Sequence, residues 1–132
     1  QAAIGKIKLK YLDKWNKKFN NIAKKYTKNL NKNILVPKVD VNNFSIYHRY
    51  IIMLDDRDKL QKYLLKNGIE TKVNYPIPLH LQKASKYLNY KKGSLPVTEN
   101  QALRILSLPI YADLSNHKIN YVIESINNFF KK

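Results

Sequence analysis

Cysteine is absent from the 132-residue chain, which excludes disulfides and thiolate metal sites. Histidine is scarce too, and His48, His80 and His117 lie far apart without a close carboxylate cluster, so no zinc-binding spacing is present. Absence of cysteine fits a cytoplasmic protein. No apolar run approaches the roughly 20 residues of a membrane span, so a soluble chain with no membrane contact is expected. The Gln1-Ala2-Ala3-Ile4 start leads straight into a lysine-rich amphipathic pattern without the apolar central block of a signal peptide. Acidic residues number nine against 25 lysines and arginines, for a net charge of +16.

That charge invites a nucleic-acid reading through phosphate neutralisation, but its distribution speaks against one. Lysine is spread through the first helix, the middle and the C-terminus, and only three arginines occur, Arg49, Arg57 and Arg104. A nucleic-acid module would also interleave aromatics with arginine on one exposed face. Tyr47, Arg49 and Tyr50 come nearest, yet on a strand Tyr50 opposes the other two. The charge reads as a solvated surface whose positive potential favours a substrate carrying a diphosphate. With 44% hydrophobic and 11% aromatic residues the chain folds despite a mean hydropathy of −0.51. Its length fits one domain at a size where another surface often completes the burial.

From Gln1 to about Leu30, Ile4, Ile7, Leu9, Leu12, Trp15, Phe19, Ile22, Ala23, Tyr26 and Leu30 recur at three- and four-residue steps, predicting helix with one buried face and a bend near Leu12-Asp13. The aromatic and β-branched run Phe44 to Leu54 predicts a strand. Asp55 or Asp56 then caps a helix through Lys66, with Leu60, Tyr63 and Leu64 inward and Asn67-Gly68 as its stop. Ile69 to Tyr75 reads as a second strand, Leu81 to Leu88 as a short helix, Thr98 to Arg104 as a helix capped by Thr98, and Ile105 to Leu108 as a third strand. Ser115 caps a final helix with Ile119, Val122, Ile123, Ile126 and Phe130 on its apolar stripe. The sum is α+β: a small sheet of about three strands, antiparallel or mixed, covered by helices, with a long N-terminal helix.

The most informative stretch is Val73 to Leu108. Pro76 and Pro78 fix their own φ and push the residues before them to extended conformations, so Tyr75-Pro76-Ile77-Pro78-Leu79-His80 forms a stiff arm with Tyr75 and His80 at its ends. The run YPIPLHLQ (75–82), then Gly93-Ser94-Leu95-Pro96-Val97-Thr98-Glu99, then LSLPIY (106–111), resembles in order the C-terminal segment of the DegT/DnrJ/EryC1/StrS family of nucleotide-sugar aminotransferases that use pyridoxal phosphate. The N-terminal helix and the Ser45-Ile46-Tyr47-His48 run resemble the family as well.

The resemblance implies the aspartate-aminotransferase type of fold. Residues 1–30 would be an interdomain helix region and 31–132 the C-terminal small domain, with the N-terminal cofactor-binding domain upstream of Gln1. It implies transfer of an amino group, from glutamate, to a keto group of a nucleotide-linked sugar in cell-surface polysaccharide or amino-sugar biosynthesis, by a homodimer. Pyridoxal 5'-phosphate would be bound by the missing domain, which carries the Schiff-base lysine, so this chain would hold no catalytic or cofactor residue and be inactive alone. By its place in the motif, His80 is the candidate for a bond to a sugar hydroxyl or donor carboxylate, unless it only joins a polar loop network. Tyr75 is a candidate to pack on a sugar or base face, and equally a core residue. His48 reads as a strand histidine satisfied by backbone. Arg49 departs from the apolar or amide residue expected there, as Phe19 does from a basic one. Gln82, Glu99 and Arg104 read as helix-end and packing residues. The alternative is a freestanding non-catalytic domain for interaction or polyanion binding.

Overall fold

The two long amphipathic patterns form two helices, each of which turns one apolar face to the core. The computed structural model describes residues 1–131. Helices α1 (Ala2–Leu9) and α2 (Leu12–Asn29) are separated by a break at Lys10-Tyr11, where Tyr11 and Trp15 stack at 5.9 Å. From α2, Ile22, Ala23 and Tyr26 face inward. Helix α5 (Asn116–Phe129) starts where expected, with Ser115 Oγ accepting from the Lys118 N–H at 3.3 Å, and buries Ile119, Val122, Ile123 and Ile126.

Between them in sequence lie β1 (Tyr50–Met53), α3 (Arg57–Lys66), two 3-10 helices (Leu79–Leu81 and Lys83–Leu88), α4 (Pro96–Arg104) and β2 (Ile105–Leu108). The strands pair antiparallel, with Tyr50 opposite Leu108 and Ile52 opposite Leu106. Period-2 alternation puts these four side chains on one face, where all are buried. Leu60 and Leu64 of α3 complete the core, each fully buried and stabilising by about 2 kcal/mol. Gly68, at φ 73°, turns the chain out of α3 so that the Ile69 N–H donates to the Leu64 carbonyl at 2.9 Å.

The sheet is smaller than the expected three strands. Among the described residues it has two, extended by one isolated bridge at each edge, Leu35 with Met53 and Lys72 with Ser107. Residues 44–49 stay outside β1 because Tyr47 takes φ 44°, which leaves β space and leaves Phe44 and Ile46 exposed. Ile69 to Tyr75 is reduced to the bridge at Lys72, since the Ile69 N–H is committed to α3 and Pro76 has none to offer. Thr98 is not a cap either: α4 begins two residues earlier, with Pro96 in its first turn.

Helix α1 buries nothing. Its Ile4 and Ile7, with Leu12 at the start of α2, are 59%, 60% and 43% exposed, which is the unburied apolar face expected if another surface covers these turns.

Candidate functional site

A cleft of about 720 Å³ opens at the end of the sheet where β1 begins and β2 ends. Four segments line it. His48 and Arg49 lead into β1, Thr71, Lys72 and Asn74 follow α3, Ser107 to Tyr111 leave β2, and Lys118 and Tyr121 come from α5.

Each wall is fixed by a different bond. The Tyr26 hydroxyl, inside the core, donates to the Pro109 carbonyl at 2.9 Å and ties the LSLPIY turn to α2. Ser107 and Lys72 exchange two backbone bonds of 2.8 and 3.2 Å. The Tyr121 hydroxyl donates to the Asn67 carbonyl at 3.0 Å, joining α5 to the end of α3. Tyr50, next to Arg49, shares a 2.8 Å hydroxyl bond with Thr27. Burial pushes the Tyr50 phenol up to about 12, with the Thr27 bond opposing, and pushes Tyr26 up as well, with help from the neighbouring phenols Tyr50 and Tyr111.

His48 is not the satisfied strand histidine expected. The left-handed turn at Tyr47 places it ahead of β1, exposed and on the cleft. Tyr75 follows Asn74 out of the cleft wall and is 55% exposed, so it is not core. His80 lies elsewhere. Its side chain is 6% exposed, its Nε2 lies 3.1 Å from Glu99 Oε1, and its ring meets Tyr90 edge-on at 5.9 Å. The imidazole is therefore committed to the loop network and presents no open face within this chain.

Glu99 is the residue that sequence reasoning undervalued. Its carboxylate accepts from the Gly93 N–H at 2.8 and 2.9 Å and from the Leu95 N–H at 3.3 Å, and it meets His80. These bonds, led by Gly93 and opposed by partial burial, hold its carboxyl below the ordinary range. Glu99 thus caps α4 from within and latches the proline arm to the Gly93 loop. The signal was present in the G-x-x-P-x-x-E spacing, which sets the carboxylate one turn inside the helix that the glycine loop precedes.

A second missed residue is Arg57. Its guanidinium is buried and donates to the Ile105 carbonyl at 3.0 Å and the Ala102 carbonyl at 3.4 Å, closing the C-terminal end of α4.

The residues present do not form a pyridoxal-phosphate site. A Schiff-base lysine needs desolvation or a cationic neighbour to free its amine, and no lysine among the described residues is buried. No group of three or more His, Cys, Asp or Glu that could hold a metal ion occurs among them. No helix among them is long and apolar enough to cross a membrane.

The motifs therefore sit around a cleft and a latched arm, with no buried lysine among the described residues. Comparison with known proteins bears on that. A regulatory protein of Geobacillus stearothermophilus, named a pleiotropic regulatory protein, is 38% identical over 99% of this chain and 36% of its own length. A dTDP-3-amino-3,6-dideoxy-alpha-D-galactopyranose transaminase of Aneurinibacillus thermoaerophilus is 35% identical over 98% of this chain and 35% of its own. In three dimensions the chain superimposes on DesV of S. venezuelae, solved with a ketimine intermediate, at a TM-score of 0.96 and 31% identity, covering 100% of this chain and 36% of that one. The chain spans about a third of the length of these relatives. Since the model of the family also matches residues 1–127, across the latch, the cleft and both long helices, the chain belongs to the DegT/DnrJ/EryC1/StrS aminotransferase family.

Proposed function

We propose that this chain is the C-terminal part of a pyridoxal-phosphate-dependent aminotransferase that transfers an amino group, from glutamate, to a keto group of a nucleotide-linked sugar. Residues 31–132 act as the small domain and 1–30 as the helix region joining it to a cofactor-binding domain. That other domain holds pyridoxal 5'-phosphate, which supplies the electron sink for moving the amino group. The intact enzyme works as a cytoplasmic homodimer, and the chain alone is inactive. The observation that carries this reading is coverage: nearly the whole chain aligns with only about a third of a transaminase, and no lysine among the described residues is buried as the chemistry would need.

The arm residues take different parts in this reading. Tyr75, exposed beside Asn74, meets the substrate. His80 serves substrate binding through the arm, whose course it holds against Glu99. The exposed Ile4, Ile7 and Leu12 are covered by the cofactor domain.

The test is the intact protein supplied with glutamate and a keto nucleotide sugar, following 2-oxoglutarate release. Stoichiometric 2-oxoglutarate and amino sugar are expected. A coding sequence in which no lysine-bearing cofactor domain accompanies these residues would overturn the reading and leave an interaction domain.

A further inference from the structure

The arm that carries Tyr75 is stiff within itself and tied at both ends. Pro76 and Pro78 fix their own φ angles, the Gln82 amide donates to the Ile77 carbonyl at 3.0 Å, and the Leu81 N–H donates to the Pro78 carbonyl at 2.9 Å. One tie is the bridge of Lys72 with Ser107. The other is the bond of His80 to Glu99. Between them Tyr75, Ile77 and Leu79 are 55%, 55% and 62% exposed, so the course of the arm depends on its two ties.

Glu99 does more than cap a helix. Asp55, Asp56, Asp58, Glu70 and Asp113 also form ion pairs but leave 57% to 90% of the side chain exposed, and such pairs contribute little. Glu99 leaves 15%. Capping α4 requires only bonds to N–H groups of its first turn, whereas Glu99 also takes the N–H of Gly93, ahead of the helix, and reaches back 19 residues to His80. The imidazole is further hemmed by the Tyr90 ring, edge-on at 5.9 Å. Tyr90 belongs to the loop between the left-handed residues Asn89 and Gly93, at φ 57° and 92°. One carboxylate thus sets both the far end of the arm and the loop beside it.

We propose that Glu99 is a positioning residue for the sugar half of the reaction. Resting on the reading above, it touches no substrate and acts through His80, whose bond fixes the far end of the arm and thereby the place of Tyr75, Ile77 and Leu79. One aromatic and two aliphatic side chains suit a ring face better than the carboxylates of glutamate. A stiff arm transmits an error at its tie along its length, and a small misplacement of a contacting group costs a large factor in rate. Glu99 and His80 then act as a unit, so removing either partner has the effect of removing both.

The test measures kcat/KM in the intact protein separately for the keto nucleotide sugar and for glutamate, since in a two-step exchange each value reports its own half. Glu99→Gln and His80→Leu are each expected to lower the sugar value about ten-fold and the glutamate value less than about two-fold. The double variant should lose no more than either single one. Arg57→Met, which loosens the opposite end of α4, should cost stability and leave both values near the parent's. Amide exchange at Leu81 and Gln82, which donate to the Pro78 and Leu79 carbonyls, should accelerate in Glu99→Gln and His80→Leu and not in Arg57→Met. Equal losses for both substrates, or losses that multiply in the double variant, would overturn the proposal. Unchanged exchange on the arm would do the same. Should Glu99→Gln fail to fold, His80→Leu carries the same comparison. A parent that does not transaminate sinks the functional reading alone, and the exchange comparison then decides whether Glu99 holds the arm. A parent that transaminates while both variants keep its sugar value sinks only this inference.

Discussion

Raising the pH should unfold this protein from its core outward, through the two tyrosines that anchor the cleft. Tyr26 and Tyr50 are both fully buried, with ring centroids 5.1 Å apart, and burial raises both phenols above the ordinary value of 10. A phenol whose folded pKa is raised contributes stability that is complete below the unfolded pKa and is lost as pH climbs through the folded one. For Tyr50, raised from 10 to about 12, linkage gives about 3 kcal/mol lost between pH 10 and 12. Tyr26 adds a loss in the same direction beginning at the same pH. Together they take a large share of the stability expected for a domain of this size. The assay pairs phenolate absorbance with circular dichroism across an alkaline titration. Exposed tyrosines such as Tyr87, 79% exposed, should ionise reversibly near pH 10 with the dichroism unchanged. Two further phenolates should appear only as ellipticity is lost. Tyr50→Phe should remove its part of the alkaline dependence. Ionisation of all tyrosines near pH 10 in a chain that stays folded would refute the reasoning, since it would mean that neither hydroxyl is buried as described.

Acid should open the other device. Because the Glu99 carboxyl is held below its ordinary range, its contribution is complete above the unfolded value and is lost as pH falls through the lowered one. Amide exchange at Gly93 and Leu95 should accelerate below the ordinary carboxylate range more than at β1, and Glu99→Gln should abolish that difference; uniform acceleration would argue against the latch. Arg57→Met should lower unfolding free energy by about 2 kcal/mol, because the Ala102 and Ile105 carbonyls lose their donor; a denaturant midpoint equal to the parent's would refute it. The chain mixed with pyridoxal phosphate should yield no stable yellow adduct that borohydride fixes to one defined lysine; a single labelled lysine would show the amine chemistry to be present.

The legible parts of the fold were those written in local period. Ile119, Val122, Ile123 and Ile126 announced the buried face of α5, Ser115 its cap and Gly68 the end of α3, because each depends on neighbours within about a turn. The failures came where geometry is set at a distance. Nothing in the aromatic run 44–54 reveals that Tyr47 adopts a positive φ, so the strand was expected six residues too early and His48 was given a place in the ladder. Arg57 reads as one more surface cation, yet its acceptors lie 45 and 48 residues on. His80 and Glu99 stand in two of the three motifs that carried the family resemblance, but that they bond each other across 19 residues is a property of the fold.

The same distinction bears on selectivity in so basic a chain. Dispersed lysines raise the potential everywhere and are screened within about 10 Å at ordinary salt, so they attract anions without choosing among them. Choice requires a cation whose position is fixed and whose charge no internal carboxylate consumes. Arg104 and Arg57 are fixed but consumed by Asp55 and Asp58. Arg49 alone among the arginines has no carboxylate partner among the described residues, and only its backbone is held, through the buried Tyr50 beside it. The walls facing it are tied to different elements, the Pro109 turn to α2, Lys72 to β2 and Tyr121 to the end of α3. The walls of the cleft are therefore ordered when the chain folds, while the exposed cations along it keep their rotamer freedom until something holds them.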